Sequence, residues 1–328
     1  MPYFVNAPEL AMEAEMTQSN NPYSEGLAYI QGEFVPLAEA SVPIVEAGFT
    51  RSDATYDVVA TWQGRFFRLD EHLERFRQSY TKLRMELPLE GEELRQMLLE
   101  LVGRSGLRDS YVMMIATRGL PPAGSRDPRR FQNRLYAFAC PYLWVFSPEL
   151  QERGIKAVIS SIIRTPPRAF DPTIKNFQWG DLIRGQWQAL EADAEAGLLL
   201  DDDGNVTEGA GYNVLAFVDG VLRTPEEGAL LGITRRSAIE LAEEDGIPVK
   251  RGLLHVDELR SAEEIFFTTT AGGVMPVGML DGKPIGDGDG SPGPKTLRLK
   301  QLYWDAHERP EWSTEVDYSV ADPSISAA

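Results

Sequence analysis

Lys175 stands in Thr173-Ile174-Lys175-Asn176-Phe177-Gln178-Trp179-Gly180, an otherwise uncharged stretch between Asp171-Pro172 and Asp181. A lysine held against apolar walls has its ammonium form disfavoured, which leaves an amine able to attack an aldehyde. Further along, Asn205-Val206-Thr207-Glu208-Gly209-Ala210-Gly211-Tyr212-Asn213 supplies a carboxylate, Glu208, just after the turn-forming Asp202-Asp203-Gly204-Asn205. A third segment, Gly232-Ile233-Thr234-Arg235, opens a helix-like run whose first backbone N–H groups and dipole favour an anion. Thr269-Thr270-Ala271-Gly272-Gly273 can close the same cup with hydroxyls and amides, and Arg75 can add charge-assisted bonds. A lysine for a Schiff base, a carboxylate for a pyridinium nitrogen and a phosphate cradle are the protein parts of pyridoxal 5'-phosphate chemistry. Each residue type taken singly defaults to a solvated surface group. The signal is their joint appearance in one chain.

These residues need elements to position them. Leu27 to Pro36, turning at Gln31-Gly32-Glu33, reads as a hairpin. Tyr56 to Trp62 and Arg65 to Leu69, joined by Gln63-Gly64, read as a second. Asp70 is a candidate N-cap for a helix whose Leu73, Phe76, Tyr80 and Leu83 make one apolar face, with Arg75 at its edge. A further helix is expected over Gly91 to Arg104, then strands at Tyr111 to Ala116 and Arg134 to Cys140, with a long Gly-, Pro- and Arg-containing loop between them. Beyond a connector near Val145 to Gln151 come a strand at Ile155 to Ile163 and a helix at Trp179 to Ala196. A hairpin at Phe217 to Leu222, a helix at Thr234 to Asp245, a buried strand at Glu264 to Thr270 and a terminal helix at Lys295 to His307 complete the reading. The class is mixed α/β in two lobes: an N-terminal arm (1–24), a small α/β domain (25–144), a connector (145–150) and a larger C-terminal domain (151–328).

Composition narrows the function classes. The 328 residues carry a net charge of −18, which argues against coating nucleic acid or an anionic membrane. Cys140 is the single cysteine, so no intramolecular disulfide and no cysteine-based zinc site can form. With only His72, His255 and His307, a histidine-rich metal site is not expected either, and no metal is assigned. The N-terminus has acidic residues and no apolar core of a signal peptide, and Ile265 to Leu280 is too short and too polar to span a bilayer. The expectation is a cytoplasmic protein.

The chain resembles the fold type IV pyridoxal-phosphate enzymes, the group of branched-chain aminotransferases, D-amino acid aminotransferases and aminodeoxychorismate lyases. The likeness runs from about Leu27 to the terminal helix. It rests on His72-Leu73-Glu74-Arg75-Phe76, Ile174-Lys175-Asn176, Thr207-Glu208-Gly209 with Asn213, Gly232-Ile233-Thr234-Arg235, and Thr269-Thr270-Ala271-Gly272-Gly273. Within the group it is most similar to the (R)-selective amine transaminases, through Tyr56-Asp57-Val58, Gly64 to Asp70, Arg164-Thr165-Pro166-Pro167 and Asp171 to Leu182.

The resemblance implies a small N-terminal α/β domain and a larger α/β pseudo-barrel. It implies Lys175 as Schiff-base lysine and proton shuttle, Glu208 as pyridine partner, and Arg75, Ile233, Thr234, Thr269 and Thr270 around the phosphate, with Leu230 against the ring. Tyr56, Val58, Met113, Trp179 and Ala271 would line the substrate pockets. Arg126, in Gly124-Ser125-Arg126-Asp127-Pro128, would bind the acceptor's carboxylate. The implied activity is ping-pong transfer of an amino group from a primary (R)-amine to a keto acid such as pyruvate, by a homodimer with its active site at the interface. A D-amino acid aminotransferase is the alternative, followed by a branched-chain aminotransferase or an aminodeoxychorismate-lyase-like enzyme, and then by a catalytically silent binding protein.

Overall fold

The computed structural model describes residues 22–286 and 288–321. The expected arm lies outside them, except for a short turn at Pro22–Ser24. The first half runs β1 (Leu27–Ile30), β2 (Glu33–Pro36), α1 (Ala47–Arg51), β3 (Ala54–Trp62), β4 (Arg65–Phe67), α2 (Leu69–Lys82), α3 (Gly91–Ser105), β5 (Ser110–Leu120) and β6 (Gln132–Pro141). Then come α4 (Pro148–Arg153), β7 (Ile155–Ile163), α5 (Gly180–Glu191), β8 (Ala196–Leu200), β9 (Val206–Gly209), β10 (Tyr212–Val218) and β11 (Val221–Thr224). The remainder is α6 (Ile233–Glu244), β12 (Val249–Arg251), α7 (Val256–Arg260), β13 (Glu264–Thr269), β14 (Gly273–Leu280), β15 (Lys283–Pro284), α8 (Pro294–Asp305) and β16 (Ser313–Glu315). Among the described residues, no helix is long and apolar enough to cross a membrane.

Alternation along the strands builds the first sheet, ordered β16-β4-β3-β5-β6-β1-β2 and antiparallel throughout. Val59, Val112, Met114, Ala116, Ala137 and Ala139 point to one face and pack under Phe76 and Tyr80 of α2 and Leu94, Leu98 and Leu101 of α3. Each of the Val, Met, Leu and Phe side chains among them, taken fully out of water, stabilises the fold by about 1.5–3 kcal/mol before entropy is counted. The opposite face carries Tyr56, Val58, Met113 and Ile115, and Val58 pairs directly with Met113. Asp57, between Tyr56 and Val58, therefore points toward α2.

The second sheet closes on itself. Strands β10, β13, β14, β7, β8 and β9 follow one another, and β9 pairs back to β10; β11 and β12 extend the sheet outward. Closure removes exposed edges, which explains why β9 and β10 are buried along their whole lengths. β7 pairs in parallel with both β14 and β8. A parallel β7–β8 pair requires a crossover, and the loop 164–179 with α5 provides it. Lys175 thus sits past the C-terminal end of a parallel strand, at the mouth of the barrel, where α/β folds place ligands.

Several expectations are corrected. The helix over Arg75 is capped by Arg68, in a left-handed conformation with its N–H on Trp312 O, so Asp70 falls in the first turn. The second half of the connector is helical, because Ser147 caps α4 through the Leu150 N–H. The helix expected to reach Ala196 ends at Glu191, and a turn through left-handed Asp193 leads into β8. Residues 313–321, placed with the second domain from sequence, lie against the first sheet: β16 pairs with β4, and Tyr318 donates to Leu107 O.

Candidate active site

Around Lys175 the loop is docked by the first sheet and α2. Lys175 O accepts from the Tyr56 N–H (3.0 Å) and from the Thr55 hydroxyl, and the Lys175 N–H donates to Ser79 Oγ (3.3 Å). Lys82, at the end of α2, bonds Asp171 and Thr173 a few residues upstream. Lys175 Nζ then lies 4.5 Å from the centre of the Tyr56 ring. Burial, reinforced by the nearby Arg75 guanidinium, pulls its pKa down to about 8, against the opposing pull of Asp57 and Glu208. An appreciable share of the amine is therefore neutral at physiological pH.

Glu208 is buried at the floor of the same cleft, on β9. Burial pushes its carboxyl up toward the neutral form, and Arg164 and the Leu230 N–H pull the other way. Its Oε1 accepts from Arg164 Nη2 (3.0 Å) and Nε (3.3 Å), and its Oε2 from the Leu230 N–H (3.0 Å). Arg164 is held in turn by Asp181, 2.6 Å from Nη1. Asn213 Nδ2 bonds Leu230 O (2.8 Å) and reaches Glu208 Oε2 (3.5 Å), tying the carboxylate to the loop before α6.

That loop ends in an anion cup. Gly232 caps α6 without a side-chain bond, which leaves the first amides of the helix, those of Ile233 and Thr234, without an intrahelical acceptor. A Cβ at Gly232 would overlap Asn213 Oδ1, so only glycine fits there. Arg75 reaches the cup from α2, with Nη1 3.3 Å from Leu231 O. Thr269 and Thr270 line the cleft opposite, and Thr268 Oγ1 is a buried hydroxyl with no partner among the described residues. Free amides, a guanidinium and an unpartnered hydroxyl in one concavity suit a phosphate. With Lys175 and Glu208 in the same cleft, the donor set fits a pyridoxal phosphate molecule.

The cleft brings together Tyr56, Arg75, Lys175, Trp179 and Glu208 with Leu230, Ile233, Thr234, Thr269 and Thr270. Val58 and Met113 lie outside its walls, on the sheet face that continues from Tyr56. Ala271 is buried just behind the wall, its carbonyl taken by the Val145 N–H. Arg126 is exposed on the β5–β6 loop and does not reach the cleft, because Asp127 folds that loop onto Arg129 and the following turn. Sequence reasoning assigned no role to Arg164, Asp57 or Asn213. A signal existed for Asp57, the single charge in the buried strand Ala54–Trp62, since a charge there must have a buried partner.

Residues 54–279 match the family model described as amino-transferase class IV. The chain is 33% identical over 291 residues to a putative branched-chain-amino-acid aminotransferase of Methanocaldococcus jannaschii, covering 88% of this chain and 98% of that protein. It is 31% identical over 272 residues to a D-alanine aminotransferase of Bacillus licheniformis, covering 82% and 93%. In three dimensions it resembles the T.th. branched-chain amino acid aminotransferase with pyridoxamine 5'-phosphate, with a TM-score of 0.83 and 32% identity over 89% of this chain and 99% of that one.

Proposed function

We propose, because this chain belongs to the class IV aminotransferases, that it moves an amino group from a primary (R)-amine to a keto acid such as pyruvate. Its cofactor is pyridoxal 5'-phosphate. The observation that carries the reading is the convergence of Lys175, Glu208 and the α6 cup in one cleft. Bound there, pyridoxal phosphate supplies an aldehyde that takes the amino group and a ring that withdraws electrons as the substrate's proton leaves. Lys175 would hold the cofactor through its neutral amine, and the same amine is placed to remove the substrate's proton and to return one. Glu208 holds a proton on the ring nitrogen. Arg75, the amides of Ile233 and Thr234, and Thr269 and Thr270 would hold the phosphate, with Leu230 against the ring.

The substrate side is apolar and aromatic: Tyr56 and Trp179 on the wall, Val58 and Met113 on the sheet beyond, and Ala271 behind the turn. Trp179 is fixed by its indole N–H on Asn176 O (2.9 Å). Such a surface suits an uncharged aryl or alkyl group. Together with the Tyr56-Asp57-Val58 and Arg164-Thr165-Pro166-Pro167 segments, it supports the amine-transaminase reading. Arg126 is assigned to the acceptor's carboxylate, from a loop that must close over the cleft. Homodimerisation belongs to the same proposal. Ile44 and Phe49, 77% and 72% exposed on and beside α1, give apolar surface near that loop that the described chain leaves uncovered. The names of the relatives prompt a second reading, a D-amino acid or branched-chain aminotransferase, which shares Lys175 and Glu208 and differs in the pocket.

The deciding experiment follows the visible absorbance of the bound cofactor as each enantiomer of 1-phenylethylamine is added. Bleaching by the (R) form alone, reversed by pyruvate, is the expected result. Bleaching only by D-alanine or only by L-leucine would replace this reading with one of the two alternatives. For Arg126→Ala, the KM for pyruvate should rise about 10- to 100-fold, the worth of a charge-assisted pair, while the half-reaction with an apolar amine changes little. Equal effects on both half-reactions would remove Arg126 from this role.

A further inference from the structure

Asp57 is an unexpected residue to find beneath the anion cup. It is 0% exposed, on a strand whose other residues are uncharged, and its carboxylate accepts four bonds. They come from His72 Nδ1 (2.8 Å), Arg75 Nε (2.7 Å), Arg75 Nη2 (2.8 Å) and the Val58 N–H (2.8 Å). His72 and Arg75 lie one turn apart on the same face of α2. Burial alone would raise the Asp57 carboxyl, but Arg75 and His72 more than offset it and hold the group ionised. A buried ion pair is poor stabilising material, since well-packed apolar residues usually do as well or better. The pair therefore calls for a reason other than stability.

The geometry of the guanidinium supplies one. Asp57 takes the Nε–Nη2 edge of Arg75 in a two-pronged grip, which fixes the plane of the group. Nη1 is left to cross from α2 to Leu231 O, beside the free amides of α6. The cup is thus built from two parts of the fold, the α6 terminus on the barrel and one arginine projecting from α2. Among the described residues of the barrel, only that carbonyl bonds the arginine. We propose that Asp57, backed by His72, is a positioning residue that aims Arg75 at the phosphate of the cofactor; this rests on the reading of the α6 cup as the phosphate site.

The idea makes a prediction of definite sign. Asp57 neutralises Arg75, so by charge alone Asp57→Asn would make the cup more positive and tighten phosphate binding. If aim matters more than net charge, the same change weakens it.

The test is equilibrium dialysis of the cofactor-free protein against pyridoxal 5'-phosphate and against pyridoxal, which lacks the phosphate. Asp57→Asn should bind pyridoxal 5'-phosphate about 10- to 100-fold more weakly and pyridoxal as the parent does. In an Arg75→Ala background, Asp57→Asn should add less than about threefold, because the group through which it acts is gone. Should Asp57→Asn fail to fold, His72→Phe keeps an aromatic ring, somewhat larger, and removes one bond to Asp57. It should cost the phosphorylated ligand about 2- to 10-fold, again sparing pyridoxal. Tighter binding by Asp57→Asn, equal losses for both ligands, or full effect without Arg75 would each overturn the positioning role. A parent protein that does not distinguish the two ligands would instead overturn the phosphate site beneath it.

Discussion

Replacing Lys175 by alanine is expected to lower turnover by at least about 10⁴-fold, the upper range for removing a single positioned acid–base group. Two functions are lost together, the covalent attachment and the proton shuttle, and among the described residues no second amine lines the cleft to replace either. The phosphate cup is untouched, so the variant should still take up pyridoxal 5'-phosphate, though reversibly. Dialysis then removes it where the parent protein retains it. The pKa of about 8 adds a pH signature to the parent protein. Lys175 attacks only as the neutral amine, so the rate of cofactor uptake should climb about tenfold per pH unit below 8 and flatten above it. The sign follows from burial and Arg75 both disfavouring the ammonium. Stopped-flow mixing of cofactor-free protein with pyridoxal phosphate measures it. Undiminished turnover by Lys175→Ala would end the mechanistic reading.

The fold was legible where partners are near in sequence. The β1–β2, β3–β4 and β10–β11 hairpins and the α2, α3 and α6 helices announce themselves by period and turn residues, because each is settled by contacts within about twenty residues. Barrel closure was not legible. It depends on β14 pairing with β7, more than a hundred residues away, and on β10 pairing with β13 across the intervening β11, α6, β12 and α7, which no local pattern encodes. The same division runs through the site. Lys175, Glu208 and Gly232 were visible because each has its own segment of unusual composition. Arg164 and Asp57 were not, since their importance lies in what they touch: Arg164 meets Glu208 across the barrel mouth, and Asp57 meets Arg75 across the gap between β3 and α2. A strand position alone cannot reveal a partner on another element. Asp70 shows the converse failure, a good capping residue that falls two positions past the N-cap, because Arg68 takes that place with its N–H on Trp312 O, far along the chain.

Glu208→Gln tests the electrostatic half of the mechanism, and kcat should fall by about 10²–10³-fold, as when one preorganised group facing developing charge is removed. The amide fills the same space and can still accept from Leu230 N–H, so affinity for the cofactor should change much less than kcat. A neutral amide cannot hold a proton on the ring nitrogen, and the ring then withdraws electrons poorly from the substrate carbon. Arg164 makes the effect separable from simple packing. Its two bonds to Oε1 oppose the burial that would neutralise Glu208, so Arg164→Met should also lower kcat, by letting Glu208 rise further toward its protonated form. That loss is recovered as pH rises, because a higher pH deprotonates the raised Glu208 again, whereas the Glu208→Gln loss persists at every pH. In the double variant the Arg164 contribution should vanish, since it acts through a carboxylate no longer present. Additive losses, or a Glu208→Gln variant with near-normal kcat, would mean that the ring nitrogen is served by some other group.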